Sequence, residues 1–213
     1  MEIQTLGANT VRIVTKKTSI VVNDSMIDGK SHLKDDDIVL FSNKVENKSN
    51  KKTRLFISSA GEYEVADVLI IGIPAFSYKE DSSKKFNSTI FKLISDDASL
   101  AVIGDVSSEL TDSQIEDLGR VDALIIPVGG NGITLDAPQA LKIIKKIDPF
   151  VVIPVHYDDG ITVYPTTQDN IEQVSKVLGL EVIETDNKFK LKSSDFIEGQ
   201  ATKLIVLKRV WNS

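Results

Sequence analysis

Through its first hundred residues the chain alternates short apolar runs with polar breaks, too closely spaced for helices of ordinary length. "EIQTL", "TVRIVT" and "SIVVN" follow one another with turn residues between them, which predicts a meander of short strands. Further strands are expected at "DIVLF", "RLFIS", "YEV", "VLIIGIP", "TIFKLI" and "LAVIGD". Charged clusters at 34–37, 48–52 and 79–85 separate some of them and read as solvated loops.

Beyond residue 110 the period changes. "LTDSQIEDLG" predicts a short helix, with Thr111 as N-cap, Gln114 closing a capping box and Gly119 ending it. In "LDAPQALKIIKKID", Asp136 is the cap, Pro138 sits in the first turn, and Ala140, Ile143, Ile144 and Ile147 form an apolar stripe. "TTQDNIEQVSKVLG" repeats the scheme, with Ile171, Val174 and Leu178 inward and Gly179 at the end. Between these helices run the buried-looking strands "DALIIPV" and "FVVIPV", and "FKLK" and "TKLIVLKRV" are expected to close the chain. No Gly/Pro/Ser-rich linker interrupts 1–213, so one layered α/β domain is expected.

Composition narrows the chemistry more than the fold. A net charge of −6 disfavours a general nucleic-acid surface. The absence of cysteine removes disulfides, thiolate metal sites and thiol nucleophiles together. The N-terminal stretch has no signal-peptide pattern and the apolar runs are too short to span a bilayer, so a cytoplasmic protein without membrane association is expected. "PVGGNG" at 127–132 lacks a phosphate-loop ending and reads as a turn, while no serine sits in a nucleophile elbow.

Several short motifs stand in an ordered series: "LG" at 6–7, "GEYEV" at 61–65, "GIP" at 72–74, "GD" at 104–105, "VDALIIPVGG" and "PVHY" at 154–157. In this order they resemble the metallo-β-lactamase superfamily, in particular its small Zn-dependent hydrolases related to the ascorbate-phosphate lactonases. The resemblance implies an αββα sandwich, two packed β-sheets flanked by helices, with the site along one sheet edge. It also implies a histidine-rich S-H-x-H-x-D-H loop after a strand. There, imidazoles and a carboxylate hold zinc and generate a hydroxide.

The matching loop here is "SNKVENKSN", and it departs from that pattern. Asn43, Val45, Asn47 and Lys48 stand where the four ligands are expected, Ser77 and Ser108 take two further positions, and only Asp105 and His156 keep ligand-type side chains. Valine has no donor atom, asparagine offers a neutral oxygen, and lysine brings a cation without a lone pair. The expectation is therefore a degenerate member that binds no zinc and has lost metal-dependent hydrolysis, acting in binding, scaffolding or regulation. Lys48, or failing that Lys44, is expected to turn inward and supply the missing positive charge to Asp105, with Asn43 and Asn47 around it. The alternative is a phosphoester or lactone hydrolase with a site rearranged around Asp105 and His156.

A third reading rests on charge. Lys44, Lys48, Lys51, Lys52 and Arg54 face only Glu46 within 43–54, which makes this segment a candidate for binding a small anionic ligand or, less expected in an acidic chain, nucleic acid. Its bland counterpart is a solvated loop. The other histidine, His32, precedes an acidic loop without a ligand-spaced partner and is expected at the surface. Neither a specific partner nor an oligomeric state follows from the sequence, a homo-oligomer being one possibility.

Overall fold

The computed structural model describes residues 1–213 apart from 27–28, 47–49, 79–85, 97 and 211–213. In chain order its strands are β1 (Glu2–Gly7), β2 (Thr10–Val14), β3 (Ser19–Val22), β4 (Ile38–Leu40), β5 (Leu55–Ile57), β6 (Gly61–Val65) and β7 (Val68–Ala75). Next come β8 (Ser88–Ser95), β9 (Ala98–Val102), β10 (Ala123–Pro127), β11 (Val151–Val155), β12 (Glu181–Thr185), β13 (Phe189–Lys190) and β14 (Lys203–Leu207). The helices are α1 (Asp112–Leu118), α2 (Ala137–Ile147) and α3 (Ile171–Leu178).

The strands form two mixed sheets. One runs β13-β1-β2-β3-β4-β5, and the other β12-β14-β11-β10-β9-β8-β7-β6. Their facing sides share one core: Ile3, Val11, Ile13 and Ile20 from the first sheet meet Phe91, Leu93, Leu100 and Ile125 from the second. Parallel strands buried on both faces need no polar alternation, which is why "ALIIP" and "VVIPV" read as continuous apolar runs.

The two outer faces are covered differently. On the second sheet, Ile143, Ile144, Ile147, Val174 and Leu178 of α2 and α3 pack over Leu124, Ile126 and Val152. All three helices begin with a reciprocal capping box, Thr111 with Gln114, Asp136 with Gln139 and Asn170 with Gln173. The first sheet is covered by the loop that leads into β4, where Leu33 packs on Val21 and Val39 beside Phe41 and Phe56.

A buried ion pair fastens that loop. Arg12 on β2 donates through both terminal nitrogens to Asp37 (2.9 and 3.1 Å), and Nη2 also donates to the carbonyl of His32 (2.6 Å). The backbone N–H of Lys34 donates to the same carboxylate (2.7 Å). Such a fork is strong because it is bidentate and charge-assisted. His32 is therefore not at the surface as expected. It is buried, its backbone held by Arg12 and by Asp24, which accepts its N–H (3.1 Å).

One strand was not foreseen. "EVIET" forms β12, an edge strand parallel to β14. Glutamates at Glu181 and Glu184 keep its free edge charged, a device that discourages further strand pairing.

Candidate functional site

The candidate cleft has two corners, each built where a strand ends. At the first, β9 runs out into Gly104 and Asp105. Glycine is required here because a Cβ would lie 1.8 Å from the hydroxyl of Ser42. Ser42 itself is locked: its N–H donates to Asn23 Oδ1 (2.8 Å), and Asn23 Nδ2 donates back to its hydroxyl (3.1 Å). The Ser42 carbonyl accepts from Thr89 N (2.7 Å) and Ser88 Oγ (3.1 Å), so the start of the "SNKVENKSN" loop is tied across to β8.

This places Asn43 against Asp105. Asn43 Nδ2 donates to Asp105 Oδ2 (3.1 Å), and Ser77 Oγ donates to the same oxygen at 3.4 Å. Ser77 is held by Asn87, whose Oδ1 accepts its N–H (2.8 Å). The remaining oxygens, Asp105 Oδ1 and Asn43 Oδ1, are buried without a hydrogen-bond partner, as is Asn9 Oδ1 from the β1–β2 turn. Asn9, Asn43 and Asp105 line a single cavity of about 200 Å³ together with Phe41 and Val45.

At the second corner, β11 ends in His156, which takes a left-handed backbone conformation (φ 52°). Such a conformation is uncommon for a residue with a Cβ and persists only where surroundings enforce it. They do so here. His156 N donates to the Ala8 carbonyl (3.0 Å), and its ring lies 4.7 Å from that of Tyr164. Nδ1 is 3.2 Å from Oε1 of the buried Gln168. The Gln168 amide nitrogen donates to the Thr166 and Thr167 carbonyls (3.3 and 3.2 Å), so its oxygen faces the ring and Nδ1 is the donor.

Gly129 completes this corner. A Cβ there would meet the His156 carbonyl oxygen at 2.2 Å and Gln168 Oε1 at 2.6 Å. The two tyrosines nearby are harder to ionise than usual. Burial, helped by Asp159 and Glu184, pushes the Tyr157 phenol up to about 12, and burial with Asp159 raises Tyr164 further.

Of the positions singled out in the sequence, Asn43, Ser77 and Asp105 meet. Val45 stands at the rim of their cavity, 38% exposed. Ser108 instead stands next to Glu109, whose carboxylate pairs with Lys142 (2.5 Å). His156 belongs to the other corner, and the tip of the β1–β2 hairpin touches both: Ala8 binds His156 while Asn9 lines the Asp105 cavity. Lys44 is exposed and does not turn inward. Asn47 and Lys48 lie outside the described residues.

In the basic segment one cation has a carboxylate partner. Arg54 donates to Asp36 through two nitrogens (3.1 and 2.6 Å), which holds that carboxyl below its ordinary range. Lys52 N donates to Asp35 (3.0 Å). Of the cations counted along 43–54, Arg54 is thus committed to a carboxylate of the acidic cluster at 34–37. Sequence reasoning missed Asn9, Asn23, Tyr164 and Gln168. Only "LG" before the hairpin turn carried a signal for the first of them.

Zinc prefers imidazole and thiolate, with about three protein ligands in a catalytic site. The described cleft offers one imidazole, already oriented by Gln168, and one carboxylate bonded to amide and hydroxyl donors. Among the described residues, no three His, Cys, Asp or Glu side chains converge as a metal would need. This donor set does not fit zinc.

Comparison with known proteins supports the fold. A beta-lactamase superfamily domain model matches residues 2–156. A metal-dependent hydrolase of Pyrococcus abyssi is 26% identical over 122 residues, 56% of this chain and 52% of that protein, so the chain spans about half the length of this curated relative. A protein of Thermotoga maritima assigned as a Zn-dependent hydrolase of the metallo-beta-lactamase superfamily superposes with a TM-score of 0.72 at 19% identity, covering 97% of each chain. A metallo hydrolase of Ignicoccus hospitalis gives 0.63 at 15% identity, covering 90% of this chain and 99% of its own. With two packed mixed sheets, a helical layer and a family match over most of its length, the chain belongs to the metallo-β-lactamase superfamily.

Proposed function

We propose that this chain uses the metallo-β-lactamase scaffold as a binding protein and does not carry out zinc-dependent hydrolysis. The observation that supports this reading most is the bonding of Asp105. The carboxylate that would bridge metals in a relative instead accepts from Asn43 and Ser77, both at positions where the resemblance calls for ligands. An amide and a hydroxyl cannot replace imidazoles in lowering the pKa of a bound water to neutrality. His156, the other surviving ligand type, donates its Nδ1 proton to Gln168.

The names of the relatives favour a second reading, a metal-dependent hydrolase with a rearranged site. Hydrolysis of generic phosphodiesters, lactones and β-lactams by the purified chain, with and without added metal, separates the two. The binding reading predicts no turnover above a His156→Ala control. Chelator-sensitive turnover that disappears in His156→Ala would overturn it.

A further inference from the structure

We infer that the cavity at Asp105 is a binding site for a primary ammonium group, the head of a small amine. The inference rests on the reading just given, since a resident metal would claim the same carboxylate. Three acceptor oxygens, Asp105 Oδ1, Asn43 Oδ1 and Asn9 Oδ1, are buried without a hydrogen-bond partner, and their residues line one cavity. Buried acceptors left unmatched are costly, so a set of three on one cavity calls for a donor-rich ligand.

The orientation of Asn43 is fixed by its own bond. Its Nδ2 donates to Asp105 Oδ2, and rotating the amide would bring two acceptor oxygens together. Asp105 carries the single formal charge among the described residues lining the cavity; the rest are asparagines, serines, Phe41 and Val45. An anion would therefore meet a carboxylate and unmatched acceptors with no cation among the described lining residues to offset them. Hard dications collect more oxygens and, commonly, more than one carboxylate. An ammonium group has three N–H donors, no acceptor and one positive charge. It matches the cavity in both donor count and charge.

The rest of the lining suits the carbon portion of such a ligand. Phe41 and Val45 contribute apolar residues to the lining. A volume of about 200 Å³ has room for several water-sized groups and thus for a short amine.

Isothermal titration of the full chain in zinc-free buffer at fixed ionic strength tests this, with ethylammonium chloride as the probe. Tetramethylammonium chloride serves as the control of equal charge without N–H donors. One-to-one binding of ethylammonium is expected, weakened by about tenfold or more in Asp105→Asn and by several-fold in Asn9→Ala. Asn9→Ala leaves the Asp105 bonds untouched, so it reports on the site even where the first variant folds poorly. Equal binding of tetramethylammonium, or no heat from ethylammonium in a protein that also takes up no zinc, overturns the ammonium site alone. Stoichiometric zinc uptake that displaces ethylammonium overturns this inference together with the reading beneath it.

Discussion

The two corners of the cleft hold the two surviving ligand-type side chains in opposite states. At His156 the contacts are with the fold itself: the ring lies tilted against that of Tyr164, Nδ1 is paired with Gln168, and the backbone N–H is anchored on Ala8. At Asp105 one carboxylate oxygen is paired and the other, with two amide oxygens, is buried without a partner. The difference teaches which residue serves the fold. A side chain whose bonds are all internal is structural, whereas unmatched buried polar atoms mark a place shaped for something else.

The sharpest way to break this comparison is to crowd the matched corner. Gly129→Ala would press a Cβ against the backbone oxygen of His156, a residue whose N–H is tied to the Ala8 carbonyl. A loss of about 3 kcal/mol in chemical denaturation is expected, at the upper end for overpacking. A change too small to measure would mean that the His156 corner is loose.

Next in size is Gln168→Leu, which strands the His156 N–H beside an apolar group. We expect a loss of about 2 kcal/mol, since a buried donor then lacks its partner. Nitrogen NMR of the wild-type ring should show the neutral form protonated at Nδ1, and the variant should lose that preference. An unchanged tautomer would remove Gln168 from its positioning role.

At the other corner the expected sign reverses. Asp105→Asn removes a partly buried charge that has no cationic partner among the described residues, so stability at neutral pH should stay within about 0.5 kcal/mol of wild type or rise. A clear loss would show that a cation, with Lys48 the first candidate, pairs with Asp105 after all.

The smallest effect near neutrality is on the pH dependence. The Tyr157 phenol has its pKa raised by burial from 10.0 to about 12, so the folded state holds that proton more tightly than the unfolded one. Its contribution to stability is full below pH 10 and is lost as pH rises through 12. Ultraviolet titration of the 4 tyrosines should show Tyr157 and Tyr164 ionising late, together with unfolding. Ionisation of all four at the ordinary value would contradict the tight packing of this corner.

Much of the fold was legible because it rests on local rules. The capping box at Thr111, the cap at Asp136 and the stripe from Ala140 to Ile147 declare their helices, and the alternation of the first hundred residues declares strands. β12 escaped because "EVIET" is a largely exposed edge strand, whose glutamates hide its apolar period. The site was legible only in part. Asp105 and His156 could be named from the motif order, but what surrounds them comes from residues far away in sequence. Asn43 lies 62 positions from Asp105, and Asn9 and Gln168 are neutral amides within no motif. His32 shows the same limit, since its burial depends on Arg12, twenty residues before it.

The central claim, that this cleft is not a zinc site, is tested most directly by elemental analysis of the purified chain after incubation with zinc and dialysis. The account predicts well under one equivalent per chain, unchanged in Asp105→Ala and His156→Ala. One equivalent of zinc that survives dialysis and is lost in either variant would contradict it.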